Sequence, residues 1–267
     1  MSINEDLVVL EIDQNKIATI TFNNPKSLNA LSRDVLKNFK QKLNLVADDK
    51  NILGLVLIGE GEKAFIAGAD IKEMLDMNIE DAQKFSLLGQ EVTLIMENLE
   101  IPVIACVNGF ALGGGLEMAL GADFIYCSKN AVFGLPEVKL GLIPGFGGTQ
   151  RLARVVGRNI AKELVYSGRN IMAEEALQMS LVNKIFENKT DLLNGAKDFL
   201  VKTQKNSIFA IGQAKKALVN GIDLIVSEGL KGESDIFASL FDSHDAKEGT
   251  KAFAEKRTAN FRHLKGE

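Results

Sequence analysis

Residues 103–127 read VIACVNGFALGGGLEMALGADFIYC. Val103 to Val107 is an unbroken apolar run of strand length, the pattern of a strand covered on both faces. Gly114 to Leu120 has the composition of a short apolar helix, and Phe124 to Cys127 returns to strand. Strand, helix and strand so closely spaced predict an α/β architecture with parallel strands. The alternation continues on both sides. Asn51 to Ile58 holds another near-continuous apolar run, and Phe65-Ile66-Ala67 is a short strand leading into Gly68-Ala69-Asp70. Between these and Val103, residues 80–98 predict a long helix with Phe85, Leu88, Val92, Ile95 and Met96 inward. Upstream, Leu31, Val35, Phe39 and Leu43 recur every fourth residue behind a capping Ser32, predicting a helix over 32–47. Ahead of it, Val8, Leu10, Ile12 and Ala18, Ile20, Phe22 flank the polar turn Asp13 to Lys16, which reads as a β-hairpin. Beyond about residue 160 the strand signals fade. Leu181 to Phe186 is the survivor, and the end of the chain reads mainly as helices. The broad apolar face at Ile236, Phe237, Leu240 and Phe241 has two readings: it caps its own core, or it packs on a neighbouring subunit.

Composition bounds the function. The 267 residues suit one sizeable domain, or a domain with an appendage, and 46% apolar with 25% charged residues excludes wholesale disorder. Lys plus Arg is 31 against 35 Asp plus Glu, a net charge of −4, which weakens a nucleic-acid reading. The two histidines, His244 and His263, leave little for a zinc site or a hydrolytic triad. Cys106 and Cys127 sit in apolar segments at no metal or redox spacing, so they read as buried thiols of a reducing compartment. Met1 to Asp6 lacks the basic and apolar regions of a signal peptide, and the longest uncharged stretch, Ile101 to Leu116, is short for a membrane span. A soluble cytoplasmic protein is the expectation, with no membrane or metal partner.

Two glycine clusters stand out. Gly113-Gly114-Gly115 precedes the apolar helix, where free N–H groups and the helix dipole favour an approaching negative charge, although a plain tight turn would use the same residues. Gly145-Phe146-Gly147-Gly148 is the second. Neither matches a phosphate-binding P-loop or a dinucleotide fingerprint. Glu117 lies one turn into the apolar helix, a costly place for a carboxylate unless it is paired or protonated. Glu137 follows Pro136 at what reads as a helix start. Each has a structural alternative, a salt bridge or a solvent-facing helix position for Glu117 and a favourable dipole contact for Glu137. Facing one cavity, the two would couple, one holding a proton while the other takes one from water. That is equipment for adding water to a polarised double bond, or removing it. The N–H groups of Ala69 and Gly114 are candidate oxyanion donors, though the sequence alone does not place them together.

Five stretches in this order resemble the enoyl-CoA hydratase/isomerase, or crotonase, family: Asn24 to Leu31, Lys63 to Lys72, Val107 to Glu117, Pro136 to Gly148, and Glu255 to Phe261. The resemblance implies a spiral of ββα repeats over residues 1–200 with a C-terminal helical trimerisation region over 201–267. It also implies a homotrimer, or a dimer of trimers, acting on an acyl-CoA whose coenzyme A is part of the substrate rather than a cofactor. By the same resemblance Glu117 and Glu137 are the catalytic pair, Ala69 and Gly114 supply the oxyanion hole, and the Gly145 N–H helps to position the water. Leu28 and Ala67 to Lys72, with Asp70 and Ile71 among them, would wrap the adenine and pantetheine. Lys26, Lys72 and a neighbouring subunit's Lys256 would meet the phosphates. The implied reaction is reversible syn hydration of a trans-2-enoyl-CoA. Its rivals are a Δ3,Δ2-enoyl-CoA isomerase, a catalytically silent subunit, and an RNA-binding member of the fold using Arg33, Lys37 and Lys40, which otherwise read as a solvated helix face.

Overall fold

In the computed structural model, which describes residues 6–262, the N-terminal hairpin forms as the alternation predicts. Strand β1 (Val8–Ile12) pairs antiparallel with β2 (Ile17–Phe22), Val8 opposite Phe22. Helix α1 (Arg33–Asp48) starts where Ser32 Oγ accepts the Val35 N–H at 3.2 Å, and it buries Val35, Leu36, Phe39, Leu43 and Val46. The chain then repeats one plan three times, two strands followed by helical structure. First come β3 (Gly54–Gly59) and β4 (Ala64–Ile66), then α2 (Ile71–Met74) and α3 (Ile79–Asn98). Next are β5 (Val103–Val107), β6 (Phe110–Leu112) and α4 (Gly114–Leu120). Last are β7 (Phe124–Ser128), β8 (Val132–Gly134) and a 3-10 turn, Pro136–Leu140. Helices α5 (Gly148–Val156) and α6 (Arg158–Ser167) lead to β9 (Ile171–Met172), α7 (Ala173–Gln178), β10 (Lys184–Phe186) and α8 (Lys189–Thr203). Three helices close the described chain: α9 (Ile208–Gly221), α10 (Val226–Leu240) and α11 (His244–Ala254).

The first strand of each pair joins a six-stranded sheet, in order β1-β2-β3-β5-β7-β10, and the second joins a four-stranded sheet, β4-β6-β8-β9. Two sheets fed alternately by one chain make a spiral of ββα units. The core lies between these sheets and their helices. Along α3, Phe85, Val92 and Met96 are buried while Leu88 and Ile95 are half-buried against the same core. Cys106 and Cys127 are both free and buried, and burial pushes the Cys127 thiol up to about 12.

The structure corrects two details. The strand expected over Leu181 to Phe186 is only Lys184–Phe186, because Leu181 and Val182 are buried in the turn that closes α7, with the Leu181 N–H donating to the Ala176 carbonyl at 2.8 Å. Burial there needs no ladder. Strands β6, β8 and β9 escaped notice, being two or three residues long and too short to show a period. Met1 to Glu5 and His263 lie outside the described residues. Among the described residues no helix is long and apolar enough to cross a membrane, and no cluster of His, Cys, Asp and Glu could hold a metal ion.

Candidate active site

In the smaller sheet, β4 and β6 run parallel, as do β6 and β8. Their C-terminal ends therefore lie side by side, the usual place for a ligand in parallel α/β sheets. Ala67 to Asp70 leaves the end of β4, Gly113 the end of β6, and Leu135 to Glu137 the end of β8.

Backbone pairing aims the first donor. Leu31 bridges Ala69 in parallel: its N–H donates to the Gly68 carbonyl and its carbonyl accepts the Asp70 N–H, both at 2.9 Å. In extended backbone, those two bonds turn the Ala69 N–H to the opposite side, where β6 ends. The second donor is Gly114 at the first position of α4, where a helical N–H has no partner in its own helix. Neither N–H has an acceptor among the described residues. Gly113 makes the turn between them at φ +51°, and a side chain there would meet Glu137 Oε1 at 3.0 Å.

Glu117 sits among seven residues of α4 that are all buried, itself 2% exposed. Its Oε1 accepts the N–H groups of Phe146 at 2.8 Å and Gly148 at 2.7 Å. Burial raises its pKa, and the amides of Gly148, Phe146 and Gly145, with the Arg151 charge, pull it back. Glu137 stands on the 3-10 turn with Oε2 buried and unpartnered. Burial first, and the negative charge of Glu117 second, push its carboxyl up to about 7, against a backbone hydrogen bond of its own. The two carboxyls thus sense each other and differ in surroundings, one held by amides and one with a free oxygen.

Several of the expected binding residues also converge. The Ala67 N–H donates to the Leu28 carbonyl at 3.0 Å, which joins the Asn24-to-Leu31 loop to the Ala67-to-Asp70 turn. Asp70 caps α2, accepting the Lys72 N–H at 3.0 Å, so its carboxylate is already engaged. Ile71, Lys72 and Lys26 are exposed around this turn. Lys256 does not join them within one chain: it lies exposed beyond α11 at φ +55°. Gly145 is held by its carbonyl, which accepts from Ser86 Oγ at 2.6 Å and Gln90 Nε2 at 3.0 Å, while its N–H bears on Glu117. Sequence reasoning missed the Phe146 and Gly148 amides, Ser86, Gln90 and Arg151. The second glycine cluster was the available signal, since it marked backbone that another group approaches closely.

Two unengaged amides beside a buried and a half-buried carboxyl of unequal proton affinity make an arrangement suited to acid–base chemistry on a carbonyl compound whose oxygen gains charge. The chain belongs to the enoyl-CoA hydratase/isomerase family, whose model matches residues 12–264. It is 46% identical over 250 residues to a short-chain-enoyl-CoA hydratase of Clostridium acetobutylicum, covering 94% of this chain and 95% of that one. It is 42% identical over 254 residues to a crotonyl-CoA hydratase of Syntrophomonas wolfei, covering 95% and 97%. Its fold superposes with a TM-score of 0.91 on the crystal structure of an enoyl-CoA hydratase from Bacillus anthracis, at 36% identity, covering 96% of this chain and 99% of the other.

Proposed function

We propose that this protein is an enoyl-CoA hydratase that adds water reversibly and syn to trans-2-enoyl-CoA, giving 3-hydroxyacyl-CoA. The observation that carries the reading is the pairing of Glu117, held by two amides, with Glu137, whose buried Oε2 has no partner. The thioester oxygen sits between the Ala69 and Gly114 N–H groups. These donors stabilise the charge that develops there more than the ground-state carbonyl, each contributing roughly 3 kcal/mol to lowering the barrier. Water lies between the carboxyls with the Gly145 N–H nearby. Glu117, kept ionisable by its amide donors, takes a proton from water as oxygen bonds to C3. Glu137, protonated near neutrality because its pKa is about 7, delivers its proton to C2.

Leu28 and Ala67 to Lys72 follow the adenine and pantetheine, Lys26 and Lys72 meet phosphates, and Lys256 joins them from a neighbouring subunit of a homotrimer or a dimer of trimers. Helix α10 supports that assembly, since none of its residues is buried within one chain. Two of the three charges of the RNA-binding alternative are engaged: Arg33 pairs with Glu73 and Asp81, and Lys40 with Glu91, while Lys37 is exposed.

Glu117→Gln and Glu137→Gln should each cut hydration of crotonyl-CoA by about 10²- to 10⁴-fold while leaving acyl-CoA binding in place. Steady-state turnover and ligand titration measure both. Near-normal turnover by both variants would end the mechanism, and a wild type that shifts 3-enoyl-CoA faster than it hydrates 2-enoyl-CoA would make it an isomerase.

A further inference from the structure

Residues Gly145 to Gly148 run past Glu117, and each of the three peptide units joining them is held by its carbonyl. The Gly145 carbonyl is held by Ser86 and Gln90 of α3, and the opposite end of that peptide, the Phe146 N–H, donates to Glu117. The Phe146 carbonyl accepts from Arg151 Nη1 at 3.2 Å. The Gly147 carbonyl accepts the backbone N–H groups of Gln150 at 3.0 Å and Arg151 at 2.9 Å, and the far end of that peptide, the Gly148 N–H, donates to Glu117. Because a trans peptide is planar with its N–H and C=O opposed, holding the carbonyl fixes where the N–H points.

The Arg151 guanidinium thus holds the middle peptide, between Phe146 and Gly147, which links the two peptides whose N–H groups reach Glu117, and its backbone N–H helps to hold the second of those two. The guanidinium itself is clamped by both oxygens of Glu97 on α3, at 2.7 and 3.0 Å, with 14% of the Arg151 side chain exposed. It crosses directly over Gly147, which has φ +109° and where a Cβ would collide with Nη1. A glycine is required there both by the left-handed backbone and by the crossing side chain.

We propose that Arg151, clamped by Glu97, is a positioning residue for the hydration reaction: by holding the peptide that links the two donor peptides, it keeps the Phe146 and Gly148 N–H groups on Glu117 Oε1. This rests on Glu117 acting as assigned above. The charged groups facing Glu117 are Glu137 on the 3-10 turn and Arg151 on α5, with Glu97 of α3 behind the arginine. Arg151 therefore acts on Glu117 twice, through the peptide that links the two donor amides and through its own positive charge, and both favour the ionised carboxylate.

Arg151→Gln, Arg151→Lys and Glu97→Gln test the assignment. In Arg151→Gln, kcat should fall about 10- to 100-fold with KM nearly constant, because the catalytic geometry loosens while the coenzyme A contacts lie elsewhere. The acidic limb of the kcat–pH profile should move to higher pH. Arg151→Lys keeps the charge without the two-pronged grip, so it should return the limb toward its wild-type position and recover only part of kcat. A titration of carboxyl-labelled glutamate by ¹³C NMR, with Glu117→Gln assigning the signal, reads the same shift with no turnover at all. A wild type that fails to hydrate would sink the proposed function and leave this titration interpretable. Identical Glu117 midpoints in wild type and Arg151→Gln would overturn the positioning role, as would an equal loss of kcat in all three variants with the pH limb unmoved. Should Arg151→Gln not fold, Glu97→Gln must still lower kcat at constant KM; wild-type kcat there would overturn the proposal.

Discussion

Helices α4 and α10 share apolar stretches but not an environment: every residue of α4 is buried, and none of α10 is. Helix α4 is finished within the chain, packed beneath the ends of β4 and β6 with its one carboxylate satisfied by amides. Helix α10 packs along α9 and leaves Leu230, Phe237 and Phe241 58% to 63% exposed, an apolar face that a single chain does not cover. The Glu117 end of the molecule is thus completed by backbone groups of the same chain, whereas the C-terminal end leaves an apolar face open. A carboxylate can be held in an apolar helix where the backbone supplies its partners; an apolar face without intrachain partners calls for a second chain.

The same substitution in the two helices should have opposite effects. At Gly115 an added Cβ would run into the Ile66 carbonyl, a backbone atom of β4 that cannot step aside. Gly115→Ala should destabilise by about 3 kcal/mol or more in thermal unfolding, and it should also impair turnover, because Ile66 leads into Ala69. At Gly232 in α10 nothing lies within 4 Å of such a Cβ. Gly232→Ala should gain about 0.5–1 kcal/mol from helix propensity alone. Equal losses at both positions would erase the distinction between a finished helix and an open one.

The open face can be broken directly. Phe237 and Phe241 stack edge-on, with ring centroids 5.2 Å apart, and both rings face outward. Replacing both by serine removes apolar surface without emptying the core. Sedimentation should show a shift from oligomer toward monomer, with far-ultraviolet dichroism unchanged. An unaltered sedimentation coefficient would mean that this face is not the interface.

Much of this was legible in the sequence, for identifiable reasons. Glu117 stood out because a carboxylate amid Leu116, Met118 and Ala119 is anomalous, and its burial explains that anomaly. Helix α1 was readable from a regular apolar stripe and a capping serine. The meeting of Ala69 with Gly114 was not readable from periodicity, because it depends on parallel pairing of two three-residue strands, and only the family resemblance brought them together. Arg151 carried no signal in the sequence. Its contacts with Glu97 and the Phe146 carbonyl cross 54 residues in one direction and one helical turn in the other, and no local pattern encodes the former. The apolar face of α10 was visible, and the structure leaves Phe237 and Phe241 exposed and Ile236 and Leu240 half-buried.

A final effect separates the two regions by their dependence on pH. Glu137 carries the cost of the site, since its carboxyl is raised from 4.5 to about 7 by burial and by Glu117. Between those values the folded protein holds a proton that the unfolded chain has released, so stability falls as pH rises through this window and levels off above it. Glu137→Gln removes that dependence. The variant should match wild type near pH 4.5 and exceed it by about 1–2 kcal/mol at pH 8, the figure being reduced for the solvent that reaches one side of the carboxyl. Thermal unfolding across that range measures it. A stability gap that stays constant with pH would show that the Glu137 carboxyl titrates no differently in the folded and unfolded chains. The Phe237 and Phe241 double variant introduces no titrating group and should give just such a constant gap, which makes it the control for the active-site end of the molecule.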